Sequence, residues 1–296
     1  MFSIRNLLIF LLFFSFSYVL SQEKDTLNQK YLDDNLLDFL YISNPLVEIS
    51  YGYGSPFNNK ITDDFANVGN WHLKLGKSKQ KYFRGFLVDL SERYLFGSYI
   101  SSSIQNISDD IGITTSTYQF GFGSRDGIGY SGSFLTVIPY VAQDFVWSKL
   151  NSYNTNNVCL AIYSCPDFAS QILNDYQKDF RFGDKASYGL KVGLASILQL
   201  NVSYETSVIY RRHLFWYWSG SFILSQAGYN MLGYFTDDLV DNSPVIGTLF
   251  NFLLKAGYQY GYYLLRKEDM NWPFNTSKNE TPLRYETLNV GFTFLF

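Results

Sequence analysis

The chain ends Leu288-Asn289-Val290-Gly291-Phe292-Thr293-Phe294-Leu295-Phe296, and the reading of that segment decides the fold. Leu288, Val290, Phe292, Phe294 and Phe296 fall on alternate positions, so in a strand they share one face. Asn289, Gly291 and Thr293 take the other face, with Leu295 its one exception. An apolar face of this extent calls for burial, whereas a chain end ordinarily lies at the surface. Both hold if the apolar face meets lipid. The segment therefore reads as the closing strand of a transmembrane β-barrel, apolar outside and polar inside.

The same alternation recurs upstream. In 46–54, Val47, Ile49, Tyr51 and Tyr53 oppose Glu48, Ser50, Gly52 and Gly54. In 68–76, Trp71, Leu73 and Leu75 oppose Asn70, His72, Lys74 and Gly76. Strand-like stretches follow at 93–102, 112–123 and 128–138, with Ser124-Arg125-Asp126-Gly127 as a tight-turn signal between the last two. Further on come 186–194, 198–210 and the closing strand 285–296. Eight crossings result, and their length suits a tilted membrane passage. A ten-strand count is the alternative, adding Phe86-Leu87-Val88 and Tyr140 to Leu150.

Connection lengths test this independently, because outer-membrane barrels keep periplasmic turns short and extracellular loops long. The fifth and seventh connections, 139–184 and 211–284, are the longest; the fourth and sixth, 124–127 and 195–197, are the tightest. Only the second, 77–92, breaks the rule. The polar faces hold Glu48, Lys74, Lys191 and Glu205, while the apolar faces just described hold no charge. A lipid-facing charge at mid-bilayer costs about 2–4 kcal/mol, so this asymmetry fixes which face is which. The interior of an eight-stranded barrel is only wide enough for side chains to fill. Glu48 with Lys74, and Lys191 with Glu205, are thus expected to form ion pairs in a plugged lumen.

The N-terminus reads as an export signal over 1–21. Arg5 is its basic start, Leu7 to Phe14 its apolar run, and Val19-Leu20-Ser21 its cleavage site. A retained anchor is disfavoured, since the run falls far short of the ~20 residues a helical span needs. Residues 22–45 carry Leu27, Tyr31, Leu36, Leu37 and Leu40 at helical spacing before Asn44-Pro45, suggesting a short periplasmic helix; the barrel then occupies 46–296. Aromatics make up 19% of the chain, with 25 Tyr, the residue membrane–water interfaces favour. The mean hydropathy of −0.08 excludes a bundle of apolar helices. A formal charge of −3 argues against a nucleic-acid partner. Cys159 and Cys165, the only cysteines, read as a loop-stapling disulfide in an exported protein.

The seventh connection holds the least usual segments. Leu214 to Thr236 carries no charge and includes Phe215-Trp216-Tyr217-Trp218, and Val245 to Leu265 is interrupted only by Lys255. By length the first is a membrane-helix candidate, but polar residues and glycines dilute it. A pair of helices on the membrane interface or the barrel rim is the preferred reading. Arg211, Arg212 and His213 leave strand seven, and Arg266, Lys267 and Arg284 flank the return. They are expected near the outer rim, where Arg suits phosphates of lipopolysaccharide. Ser219, Ser221 and Asp237 follow His213, but nothing in the sequence makes them converge into a catalytic set. No catalytic, cofactor-binding or metal-ligating residue is assigned.

The export signal, the alternating strands and the closing strand together resemble the broad class of Gram-negative outer-membrane β-barrel proteins. The terminal aromatic, preceded by hydrophobics at alternate positions, is similar to the assembly signal of that class. The resemblance implies insertion by the barrel-assembly machinery after escort by periplasmic chaperones, with Phe292, Phe294 and Phe296 recognised. It implies contact with outer-membrane lipid and lipopolysaccharide, and a structural or binding role at the cell surface. The alternative role is handling of a hydrophobic or lipid ligand through 214–265. A soluble exported β-sandwich is the rival fold.

Overall fold

In the computed structural model the described residues are 43–61, 64–104, 112–132, 134–154, 167–195, 197–212, 215–266, 272–273 and 281–296. The chain divides at Ser43, and the second unit, Asn44–Phe296, is a closed barrel of eight antiparallel strands in sequential order. They are β1 (Asn44–Phe57), β2 (Val68–Phe83), β3 (Leu87–Ser101), β4 (Thr114–Ser131), β5 (Thr136–Asn154), β6 (Arg181–Ala195), β7 (Leu198–Ile209) and β8 (Leu283–Leu295). Among the described residues three α-helices interrupt them: α1 (Asp167–Lys178) between β5 and β6, then α2 (Phe215–Asn242) and α3 (Pro244–Arg266) between β7 and β8. The export signal, the helix expected before Asn44, and Cys159 with Cys165 lie outside the described residues.

β8 closes the barrel. It pairs with β7 on one side and β1 on the other, and Phe296 N–H donates to Pro45 C=O at 3.0 Å. Closure leaves no strand edge with unpaired N–H and C=O groups, which hydrocarbon could not satisfy. Following register partners once around the wall leads from Leu46 through Gly76, Tyr94, Gly123, Asp144, Lys185, Ser207 and Tyr285 to Pro56. That return ten positions along β1 is the stagger that tilts the strands and sets the bore.

The facing follows the alternation. Glu48, Ser50, His72 and Lys74 are buried inward, while Ile49, Tyr51, Trp71, Leu73, Val290 and Phe292 are exposed on the outer wall, Leu73 by 45%. Leu295, the apolar exception of the last strand, points inward with its register partner Leu46.

Three boundaries differ from the sequence reading. Ser124-Arg125-Asp126-Gly127 is not a turn but the middle of β4, paired to both β3 and β5. The turn lies beyond Ser131, where Gly132 N–H bonds Leu135 C=O at 2.9 Å. Asp-Gly is good turn chemistry, but Gln119, Gly121, Gly123 and Arg125 continue one inward row and the buried arginine holds the strand straight through. The crossing expected at 128–138 is therefore the end of β4 and the start of β5, and 139–154 is strand rather than loop. The second connection shrinks to Arg84-Gly85-Phe86, restoring the rule of short turns at the end that holds both strand termini. Arg84 and Gly85 both have positive φ, 51° and 78°, the left-handed pair that matches hairpin twist. The segments that suggested ten strands, Phe86-Leu87-Val88 and Tyr140 to Leu150, lie in or beside β3 and β5.

Replacing Leu73 by Arg puts a charge on the lipid face. Urea titration of the protein folded in vesicles should show a loss of about 2–4 kcal/mol. The same change at Phe134, 94% exposed in the β4–β5 turn, should cost no more than about 1 kcal/mol.

Candidate functional site: the charged lumen and the wall beneath the helices

Inside the barrel, four buried carboxylates (Glu48, Glu92, Asp144, Glu205) face four buried cations (Lys74, Arg125, Lys185, Lys191). Arg125 on β4 is the hub. Its Nη1 donates to Glu48 Oε2 and Glu92 Oε2, both at 2.8 Å, and its Nη2 to Glu48 Oε1 at 2.9 Å. Its guanidinium lies over the Tyr140 ring at 4.4 Å. Lys191 donates to Glu92 at 2.6 Å and lies 3.7 Å from Glu48. Lys74 Nζ is 3.6 Å from Glu48, its register partner across β1 and β2. Asn201 and Thr293 supply further hydrogen bonds to Glu48, at 3.1 and 2.7 Å.

A second group lies nearer the long-loop end. Lys185 is 2.9 Å and His72 Nε2 3.5 Å from Glu205, and Tyr94 Oη donates to Asp144 at 2.8 Å. The sequence pairing of Lys191 with Glu205 does not form. In register Lys191 faces Asn201, and Glu205 lies further along its strand beside Ser187. Lys191 thus belongs to the Arg125 group and Glu205 to the Lys185 group. Glu92, Arg125, Asp144 and Lys185 were missed because each fell in a stretch read as loop, turn or strand end. Continuing a row by two residues finds three of them, as Glu92 precedes Tyr94, Arg125 follows Gly123 and Lys185 precedes Ser187; Asp144 lies well inside the stretch read as loop.

Apolar layers bound the charges at both ends. Val88, Leu90 and Ile138 cluster at the short-turn end. At the other, Ala169, Ile172, Leu173 and Tyr176 of α1 pack against Phe96, Ile100, Val146, Leu150, Ile209 and Leu283. Tyr176 Oη accepts from Leu283 N–H at 3.0 Å, tying the helix to β8. Asp175 anchors the other face of α1 to Arg211, whose Nε donates to its Oδ2 at 2.7 Å. Burial pushes the Asp175 carboxyl up, but the Arg211 hydrogen bond and charge, with Lys178, outweigh it and hold the group below its ordinary range.

The outer wall carries its own polar groups, which the sequence reading did not anticipate. Asp184 on β6 and Glu286 on β8 point outward, on the same side as Tyr188 and Leu288. Helices α2 and α3 cover both. Trp218 Nε1 donates to Asp184 at 3.1 Å, Tyr210 Oη donates to it at 2.5 Å, and Arg266 pairs with it. Tyr204 and Tyr263 donate to the two Glu286 oxygens at 2.8 and 2.7 Å. Around Asp184 an aromatic cluster forms from Phe145, Phe182, Trp218 and Phe222. Lower down, Gln226 meets Gln143 at 2.5 Å and Tyr130 Oη donates to Val245 C=O. At the bottom Arg84, in the β2–β3 turn, bonds Val240 and Asp241 carbonyls and pairs with the Asp241 carboxylate at 2.8 Å. The helices therefore run down the side of the barrel from the long-loop end to the short-turn end, not across the rim as the sequence suggested.

The rim arginines divide accordingly. Arg266 is buried against Asp184, Tyr210 and Tyr262, and Arg284 is buried with Nη2 2.6 Å from Asn59 and its guanidinium over Phe57. Arg211 shares its charge with Asp175, and Arg212 is exposed. Lys267 and His213 lie outside the described residues. Ser221 is buried near the top of α2 and Asp237 is sixteen positions further along it, about 24 Å away, so these two form no joint catalytic site. Phe292, Phe294 and Phe296 are exposed on the outer face of the closing strand and its end.

A closed eight-stranded antiparallel barrel with a neutralised charged interior and an apolar exterior defines the transmembrane β-barrels of outer-membrane type. No protein-family model matches the chain, and no curated protein matches it. Among solved structures it is similar to Neisserial surface protein A (NspA), at 7% identity over 85% of this chain and 97% of that one, TM-score 0.35. It is also similar to Ail, the attachment invasion locus protein of Yersinia pestis, at 6% identity over 85% and 99%, TM-score 0.29. The class follows from the geometry of the chain itself.

Arg125→Ala leaves Glu48 and Glu92 short of their shared partner inside the wall. Removing one member of a buried ion pair costs about 3–5 kcal/mol, which urea titration in vesicles should register. For α1 the sign runs with Asp175, whose carboxyl is held low in the folded state. Its stabilisation is present at neutral pH and is lost as pH falls through the folded value. Hydrogen-exchange protection of α1 should fall modestly on acidification in the native protein, and in Asp175→Asn it should start slightly lower at neutral pH and change less over the same range.

Proposed function

We propose that the chain is a bacterial outer-membrane barrel with a structural or binding role at the cell surface, and that its lumen is a plug, not a conduit. The observation carrying this is the arrangement of Glu48, Glu92, Arg125 and Lys191, each 0% exposed and bonded to one another across the bore. An aqueous channel needs a continuous wetted path. Here the middle of the bore is filled by paired charges, and apolar side chains cluster toward both ends. The formal charges of these eight lumen groups cancel, so they add no net charge that would draw ions of one sign inward.

Export by the segment 1–21 and assembly through Phe292, Phe294 and Phe296 complete the reading. Lipopolysaccharide contact falls to Arg211 and Arg212, because Arg266 and Arg284 are buried. Passage of a hydrophobic ligand beneath 214–265 would call for an open apolar cavity there. The wall under α2 and α3 instead presents bonded Asp184, Glu286 and Gln143 among packed aromatics, which supports the surface role.

Pure protein in planar bilayers should give no steady nanosiemens conductance; a steady open level would overturn the plug. Separately, Arg211→Ser with Arg212→Ser should lower the lipopolysaccharide retained on purification. Unchanged retention would remove those residues from any phosphate contact.

A further inference from the structure

Helices α2 and α3 have their polarity inside out. The buried side chains of α2 include Ser219, Ser221, Ser225 and Thr236, and those of α3 Thr248, Asn251, Gln259 and Arg266. The exposed ones include Leu224, Met231, Phe235, Ile246, Phe250 and Leu253, Met231 by 72%. A helix on a protein in water shows the opposite arrangement, apolar stripe inward and polar face outward. The bare barrel wall is exposed and apolar in the same way, at Leu73, Val290 and Phe292.

Length and placement agree with this. α2 has 28 residues and α3 has 23, about 42 and 34 Å at 1.5 Å per residue, against a hydrocarbon core about 30 Å thick. The hairpin begins beside Asp184 and turns at Asn242-Ser243-Pro244, held by Arg84 and Tyr130 at the short-turn end. Asp237, Asp238 and Asp241 lie at that lower end of α2. We propose that this hairpin lies in the bilayer against the barrel wall, its exposed face solvated by lipid acyl chains and its tip on the periplasmic side. The inference rests on the membrane reading of the barrel.

Neither helix is long and apolar enough to cross a membrane by itself. Much of what lowers the hydropathy is turned toward the protein, apart from exposed Asn230 and the acids at the lower end of α2. Thr236 accepts from Asn251 Nδ2 at 2.9 Å, and Ser225 C=O accepts from Tyr258 at 3.1 Å, both between the two helices. Arg266 meets Asp184 on the wall. Lys255, the one charge in the middle of α3, lies over the Tyr229 ring at 5.7 Å and within electrostatic reach of the outward Asp89 and Asp126. Intramembrane charges are tolerated where they pair in this way. The barrel thus supplies what an isolated span would lack.

The test attaches an environment-sensitive fluorophore at Leu253→Cys, Ser243→Cys and Leu73→Cys, one at a time, in protein lacking Cys159 and Cys165. Each is folded into phosphatidylcholine vesicles with or without bromine on the acyl chains, and folding is verified by heat-modifiable migration. The label at 253 should be quenched by brominated lipid as strongly as the wall control at 73. The label at 243 should escape bromine and be quenched by aqueous iodide. Quenching at 73 without quenching at 253 overturns this inference alone, whether water or a second copy of the chain covers the face. Failure at 73 overturns the membrane reading itself. Bromine quenching at 243 overturns the placement of the tip. If the cysteine-free protein does not fold, Leu253→Trp in the native chain gives the same readout after subtraction of wild-type quenching.

Discussion

Every backbone donor and acceptor within hydrocarbon has to be satisfied by the chain itself, and this protein meets that demand by joining β8 to β1. Partners such as Ile49 and Phe292 are more than 240 positions apart in sequence, yet without their ladder both strands would end in open edges. Closure in turn imposes the two-residue alternation, because each strand has lipid on one side and a narrow bore on the other. The bore then imposes its own condition. Eight strands staggered by ten positions leave room for side chains and little else, so charged groups placed there have to find one another.

They do so around Arg125. A planar guanidinium can engage two carboxylates at once, and here it joins Glu48 of β1 to Glu92 of β3, while Lys191 reaches the same pair from β6. Four strands are tied across the lumen by side chains as well as around it by backbone. Such a network is weak evidence for net stability, since taking charges from water is costly. Its effect is on register. Sliding β4 by one residue would turn Arg125 to the lipid and strand both glutamates, so the paired charges penalise wrong alignments more than they reward the right one.

How much of this the sequence disclosed depended on whether local rules and the membrane agreed. The closing strand, β1, β2 and β7 were legible because apolar and polar residues alternate cleanly along them. β4 and β5 were misread because Asp126-Gly127 carries the local chemistry of a turn, while the deciding contact, Arg125 with residues 77 and 33 positions away, is invisible in a window of ten. Glu92, Asp144 and Lys185 were hidden for the same reason. The helical hairpin was seen as two apolar stretches but placed at the rim. The clue to its true position was the set of acids on outward positions, Asp89, Asp126, Asp184 and Glu286. A lipid-facing carboxylate has to be clothed by something, and among the described residues only these two helices are long enough to reach down the wall.

The hairpin also makes the outside of the barrel unequal. Along β4, β5 and β6 the strands are clad in helix, whereas β1, β2 and the lower part of β8 show bare side chains such as Ile49, Trp71, Leu75 and Phe294. A plain cylinder offers neighbours the same surface from every direction. This one has a front and a back, so neighbours in the plane of the membrane meet two different surfaces, ridged helix on one side and pleated sheet on the other.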